Sequence, residues 1–354
     1  MFGFFSRKGP FTAQVNASGQ IFEVKPNENL LQAALAAGVA FPHNCRVGSC
    51  GTCRCRLVSG KIKPLNDFSY VLDKVELDRG IILACQTSLR SDVVVEVELD
   101  ATSARFAQAE SIQGVVSSST LLTHDILEIR ICLEKSLPPY LAGQYAEISV
   151  DGIDKPRSYS FARAPENEDA EHITFHVRQV PGGQMSGWLH AQSRVGAEVM
   201  VTGPYGSFHL RDSEAPILCI AGGSGMAPIK ALLEHLSNTG FNRQVTYLFG
   251  ARTQKDLYCL DEMNTITAKS NGHFRFLPIL SNEPEKSNWI GLRGYVTKHI
   301  TDVNVDLASC KAYLCGPPPM IDAAIEVLNQ EGLGAESIFF DKFLDASYLP
   351  GGKR

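Results

Sequence analysis

The spacing of four cysteines constrains this 354-residue chain more than any other feature. Cys45, Cys50 and Cys53 form C-x4-C-x2-C, and Cys85 follows after 31 further residues in Leu83-Ala84-Cys85-Gln86. These four and Cys55 fall within 41 residues, whereas Cys132, Cys219, Cys259, Cys310 and Cys315 are scattered over the remainder. No apolar stretch approaches the roughly 20 residues that a spanning helix needs. The N-terminal residues Phe2, Phe4 and Phe5 run straight into Arg7 and Lys8, which leaves no apolar core for a secretory signal. A cytoplasmic, reducing setting is therefore expected, and there clustered thiols point to metal or redox chemistry rather than to disulfides.

The spacing is that of a plant-type [2Fe–2S] cluster with Cys45, Cys50, Cys53 and Cys85 as ligands. Two irons and two bridging sulfides need thiolates arriving from two directions, three from one wrapped loop and one from elsewhere. Gly48 and Gly51 allow the loop to close and leave backbone N–H groups free to face sulfur, which sets a potential expected near about −400 mV. The competing ligand is zinc, held by an interaction module. Zinc usually takes two C-x2-C pairs, and only Cys50 and Cys53 form one here. Cys55, two residues past Cys53, reads as a packed core thiol at the start of a strand.

Three segments are expected along the chain: residues 1–102, 109–211 and 212–354. The first opens with strands Phe11–Val15 and Ile21–Val24 around a Ser18-Gly19 turn. Asn29 then caps a helix over Leu30–Ala37 that stops at Gly38, and Val93–Leu99 alternates as a half-exposed strand does. Residues 1–101 hold 11 basic and 10 acidic side chains, a net of +1, which leaves −6 on the rest of the chain. No block of like charge suggests a nucleic-acid partner. Asp100–Gln108 reads as a linker. The second segment is strand-rich (Gly114–Val116, Ile126–Leu133, Tyr145–Val150, Ile173–Gln179, Glu198–Thr202), as in an antiparallel barrel. In the third, Ile217–Ala221, Val245–Gly250, Phe274–Leu280 and Lys311–Cys315 are apolar runs. With the helical pattern Pro228–Leu236, they predict a parallel sheet covered by helices.

Two further motifs carry chemistry. Arg157-Ser158-Tyr159-Ser160 offers a cation for phosphate, an aromatic platform and a hydroxyl from one extended segment, the set that a flavin nucleotide asks for. Tyr159 and Ser160 are expected on opposite sides of it. Downstream, Pro181-Gly182-Gly183-Gln184-Met185-Ser186 opens a helix over Met185–His190, whose free N–H groups suit phosphate oxygens. In the third segment Gly222-Gly223-Ser224-Gly225-Met226-Ala227-Pro228 lies between strand and helix, where a dinucleotide backbone can approach. It is not the G-x-G-x-x-G fingerprint. Leu314-Cys315-Gly316-Pro317-Pro318 ends another strand at the same carboxyl edge, and its thiol could face the reacting carbon of a nicotinamide. Arg252 and Lys255, after Gly250, are candidates either for a 2′-phosphate or for plain surface charge.

Taken in order, these modules resemble the reductase components of multicomponent bacterial oxygenases. The matching stretches are Phe41–Cys45, Val47–Cys53, Phe175–Arg178, Val180–Gly183, Ser186–Leu189, Phe249–Arg252, Asp256–Glu262 and Tyr313–Met320. The resemblance implies a β-grasp ferredoxin domain, an antiparallel FAD-binding β-barrel and a parallel α/β nicotinamide-binding domain, in a multi-domain α+β and α/β chain. It implies FAD, one [2Fe–2S] cluster and NADH, with electrons passing in that order from NADH to an oxygenase or hydroxylase component. That partner would be of the membrane-embedded di-iron type and would hold this spanless chain at the inner membrane. The same electron chain could instead serve a Rieske dioxygenase, a soluble di-iron monooxygenase or a deoxysugar dehydrase. The implied FAD residues are Arg157, Ser158, Tyr159, Ser160, His176, Val177, Arg178, Gly182, Gly183, Gln184, Met185 and Ser186. The implied nucleotide residues are Gly222, Gly223, Ser224, Gly225, Pro228, Arg252, Cys315, Gly316 and Pro317. Ser160 and Cys315 would serve hydride transfer. Phe340-Asp341-Lys342-Phe343 resembles the end of the reductase fold, with Phe343 over the flavin face and Asp341 beside it, although Leu344–Arg354 extends past that ending.

Overall fold

The computed structural model describes residues 9–16, 18–26, 28–43, 46, 48, 51–99, 109–169 and 171–343. The expected linker Asp100–Gln108, the tail Leu344–Arg354 and the ligand candidates Cys45 and Cys50 lie outside these residues. The chain divides into two compact units, Met1–Gln108 and Ala109–Arg354.

The first unit is built on strands β1 (Phe11–Val15), β2 (Ile21–Val24), β3 (Arg54–Ser59), β4 (Ile62–Pro64), β5 (Ile81–Leu83), β6 (Thr87–Leu89) and β7 (Val93–Glu96). Five of them form a sheet in the order β2-β1-β7-β3-β5, and β4 pairs with β6. Helix α1 (Leu30–Ala36) starts in a reciprocal cap: the Asn29 side chain accepts from the Gln32 N–H, and the Gln32 side chain accepts from the Asn29 N–H. Such a cap is worth roughly 0.5–2 kcal/mol. The helix lays Leu30, Leu31, Ala33 and Ala34 on a core that also holds Phe22, Phe41, Ile82 and Val95. A second short helix, α2 (Lys74–Asp78), is capped the same way by Asp73 and Glu76. Strand β7 stops at Glu96 rather than at the expected Leu99, because its parallel neighbour β1 ends at Val15 and turns away.

The second unit holds two sheets. Strands β8 (Glu110–Leu121), β9 (Ile126–Leu133), β10 (Tyr145–Ser149), β11 (Arg157–Ser160), β12 (His172–Arg178) and β13 (Glu198–Tyr205) run in the order β11-β10-β13-β8-β9-β12. An antiparallel bridge from Phe161 to Phe175 brings the two edges together into a nearly closed barrel. Strand β8 is far longer than the expected Gly114–Val116. Its exposed serines and a register shift between Val116 and Ser118 hide the apolar alternation. Helix α3 (Gln184–Ala191) packs Met185 and Leu189 on the barrel.

The other sheet is wholly parallel: β14 (Ile217–Gly222), β15 (Val245–Ala251), β16 (Phe274–Leu280), β17 (Leu292–Arg293), β18 (Lys311–Gly316) and β19 (Ile338–Lys342), in the order β17-β16-β15-β14-β18-β19. All six residues of β14 are buried, as expected of a strand with both faces covered. Helices α4 (Met226–Thr239), α5 (Leu260–Lys269) and α6 (Pro318–Gln330) supply the cover. Chain order reverses between β14 and β18, the place where open α/β sheets take their ligands. Among the described residues no helix is long and apolar enough to cross a membrane.

Candidate functional site

The cysteine site begins with backbone. Arg46, Gly48 and Gly51 have φ of 56°, 81° and 71°, so the loop turns through left-handed conformations that suit glycine. A Cβ on Gly48 would lie 2.4 Å from Gln86 Cγ, so the loop rests directly on that side chain. Cys53 opens onto β3, and Cys85 sits in the one-turn helix Ala84–Gln86 after β5. The two arrive from different elements yet meet: the Cys85 N–H donates to Cys53 Sγ at 3.5 Å. Both are buried, at 3% and 1% exposure. Described ligand candidates from both sequence regions therefore converge, as a two-iron cluster requires. Cys55, two residues beyond Cys53, lies on β3 and is buried in the first unit's apolar core, where burial pushes its thiol far up.

In the barrel, the antiparallel register places Ser160 opposite Tyr145 and Tyr159 opposite Ala146. Ser160, at the end of β11, is buried to 6% exposure, while Tyr159 stays half-buried and Ser158 exposed. The Tyr159 ring lies 6.4 Å from Phe175, centroid to centroid. Arg157 donates from Nη1 to the carbonyls of Lys155 and Pro156, both at 3.0 Å. Gly183 is the N-cap of α3, and Ser186 Oγ accepts from the Val180 N–H at 3.1 Å, which closes the Pro181–Gly183 turn and leaves Gly182 and Gln184 exposed.

Three implied FAD residues have other surroundings. Val177 is wholly buried in the barrel core, so only its backbone could meet a ligand. His176 is buried against Tyr258, with Nε2 3.2 Å from Glu128 Oε2. Burial lowers the His176 pKa, the Glu128 bond opposes this, and Nδ1 has no hydrogen-bond partner among the described residues. Arg178 Nε donates to Asp125 at 3.2 Å.

At the carboxyl edge of the parallel sheet, Ala221 on β14 lies in register with Cys315 on β18, and Cys315 with Asp341 on β19. The glycine turn and the thiol are therefore neighbours. A Cβ on Gly225 would sit 2.2 Å from the Cys315 carbonyl oxygen, and Gly316 has φ +139° with the Gly222 carbonyl 2.8 Å from any Cβ. Neither position has room for a side chain. Tyr258 braces the turn by donating its hydroxyl to the Gly223 carbonyl at 2.9 Å. Cys315 is wholly buried, and burial, then the nearby Asp341 carboxylate, pushes its thiol well above the ordinary range. Phe343 joins this edge through its N–H, which donates to the Gly316 carbonyl at 2.9 Å. Arg252 and Lys255 are exposed beyond β15, and Pro228 is buried in the first turn of α4.

Sequence reasoning missed the residues that tie the two sheets of this unit together. Lys230 and Glu234, both buried on α4, are ion-paired at 2.6 Å. Lys230 Nζ also donates to the Ala162 carbonyl, and Glu234 Oε2 accepts from the Ala164 N–H, each at 3.0 Å. The helix that starts at the glycine turn thus grips the chain just after Ser160. Two opposite charges four residues apart inside an apolar helix were the available signal.

Comparison with known proteins matches three family models in this order: a 2Fe-2S iron-sulfur cluster binding domain over residues 13–90, an oxidoreductase FAD-binding domain over 113–210 and an oxidoreductase NAD-binding domain over 219–326. The chain is 38% identical to the xylene/toluene monooxygenase electron transfer component XylA of Pseudomonas putida, over 96% of each chain. It is 35% identical, over 95% of each, to the reductase component DmpP of phenol 2-monooxygenase from Pseudomonas sp. strain CF600. Among solved structures, the Amycolatopsis cytochrome P450 reductase GcoB is similar at a TM-score of 0.81 and 31% identity, covering 94% of this chain and 98% of that one.

Proposed function

Because this chain belongs to the reductase, or electron-transfer, components of multicomponent oxygenases, we propose a specific division of labour among its residues. Its cofactors are FAD, a [2Fe–2S] cluster and NADH, and electrons go from NADH by way of FAD and the cluster to an oxygenase component. When bound, these groups supply hydride uptake at the flavin and one-electron delivery through the cluster.

The chain's own work is placement. Cys45, Cys50, Cys53 and Cys85 hold the irons. Ser160 holds the flavin at its reacting edge, Tyr159 gives it a platform, and Arg157 with Gly182–Ser186 takes its phosphates. Gly222–Gly225 and Pro228 receive the dinucleotide. Cys315, with Gly316 and Pro317, positions the nicotinamide, Arg252 lies toward the adenosine end, and Asp341 and Phe343 close the site from β19. The domain limits are 1–102, 109–211 and 212–354. The observation that carries this reading is the register Ala221–Cys315–Asp341, which sets turn, thiol and C-terminal strand side by side at one sheet edge. Alignment of donor and acceptor within such an edge is where a reductase of this kind gains most of its rate.

The partner is a hydrocarbon hydroxylase of the membrane-embedded di-iron type. Full-length likeness to the xylene/toluene monooxygenase component supports this client. Anaerobic titration with NADH tests the reading. The flavin should bleach, and a rhombic electron paramagnetic resonance (EPR) signal from one reduced cluster should then grow in. Bleaching with no iron signal overturns the cluster assignment. Hydroxylation supported only with a soluble oxygenase, and not with membranes carrying the di-iron enzyme, overturns the client.

A further inference from the structure

Gln86 follows the fourth ligand candidate and has no part in the assignments above. It is 8% exposed and anchored at several points. Its backbone carbonyl accepts from the Leu65 N–H at 2.8 Å. Its Nε2 lies 3.7 Å from Cys85 Sγ and 3.5 Å from the Arg46 carbonyl oxygen. Its Oε1 accepts from Asn66 Nδ2 at 2.9 Å. Gly48 packs on its Cγ so closely that no side chain fits between them. The two ends of an amide are told apart by their partners. A carbonyl oxygen and a cysteine sulfur both call for a donor, so the nitrogen must face the cysteine site, and Asn66 must present its own donor to Oε1.

We propose that Gln86 is a positioning residue that sets the potential of the [2Fe–2S] cluster by aiming one amide N–H at Cys85 sulfur and the other at the Arg46 carbonyl of the ligand loop, with Asn66 holding the amide in that orientation. This rests on the iron–sulfur reading above. One-electron reduction adds negative charge that spreads onto the ligand sulfurs, so an N–H pointed at sulfur favours the reduced form more than the oxidised one. Removing it makes the cluster harder to reduce.

EPR-monitored redox titration of the full-length, cluster-loaded protein tests this. In Gln86→Leu the ratio of reduced to oxidised cluster at a fixed ambient potential should fall about tenfold, equivalent to 59 mV for a one-electron couple. Asn66→Leu, which leaves the amide in place but untethered, should lower the ratio by a smaller factor, about threefold. An unchanged ratio in a Gln86→Leu protein with intact cluster absorbance overturns the proposal, as does an equal shift of the flavin couple in the same sample. Should Gln86→Leu not assemble a cluster, Asn66→Leu decides, and an unchanged ratio there overturns it. Absence of any reducible iron signal in the unaltered protein removes the iron–sulfur reading itself, and the proposal with it.

Discussion

Cys315 shows how burial decides what a side chain can do. A thiol enclosed by protein and facing Asp341 stays neutral, because both surroundings penalise the thiolate. It can order a nicotinamide by shape and polarizability but cannot act as a base. Flavin reduction followed by stopped flow from pH 6 to 9 should accordingly show no thiol break, whereas a break near the ordinary value of about 8.5 would mean a water-exposed sulfur. Cys315→Ala and Ser160→Ala should each slow flavin reduction by NADH on the order of 10–100-fold with the cluster spectrum intact, since misplacement of reacting atoms costs about that much. Unchanged bleaching in both variants would remove these roles. Residues with a motif around them were legible in the sequence: the cysteine spacing pointed to Cys53 and Cys85, which the fold brings into contact. Gln86 and Tyr258 were not legible, because their importance lies in what folding brings to them, a sulfur in one case and the Gly223 carbonyl in the other.

Helix α4 links packing to function at the scale of an element. It starts at the glycine turn, and its interior pair Lys230–Glu234 is anchored to the Ala162–Ala164 backbone of the barrel. A buried ion pair of this kind contributes little net stability when intact but is costly to break, since the survivor is left as a lone buried charge. Lys230→Met should therefore lower stability by roughly 3–5 kcal/mol in urea unfolding. The double change Lys230→Met with Glu234→Leu should recover part of that loss and retain the cost of the Ala164 N–H left without its acceptor, about 1–3 kcal/mol. A double variant less stable than Lys230→Met would contradict this account. Strands whose apolar residues dominate, such as β9 and β16, were readable to the residue even with Glu128, Arg130 and Arg275 inside them. Two others were not: the serines of β8 and the Asp341-Lys342 pair of β19 hide their strand pattern. In both cases neighbouring strands supply the hydrogen bonds that local pattern failed to announce.

For the whole molecule, the proposed electron order predicts that activities can be separated. Cys85→Ser should abolish reduction of a one-electron carrier such as cytochrome c while sparing NADH–ferricyanide turnover; equal loss of both would contradict the order. The second unit also stores thiols and phenols whose ionisation burial suppresses, among them Cys219, Tyr247, Tyr258 and Cys315, and Cys310, pushed up to about 11. Their folded values exceed their unfolded ones. The stability they contribute is complete below about pH 8.5 and is lost as pH rises, for Cys310 between about 8.5 and 11. Melting temperature should fall steadily from pH 8 to 10, and a flat profile would mean these groups are not shielded. The order of modules was readable because each has its own period: alternation in the barrel, continuous apolar strands in the parallel sheet. The ladder joining β14, β18 and β19 carries one further implication. Side chains along a strand change faces at every step, so a slip of one residue would turn the Cys315 sulfur into the opposite layer. Its location is quantised, either right or absent, and variants of this chain can adjust its reach toward a bound coenzyme only through side-chain size, never through gradual drift of the backbone.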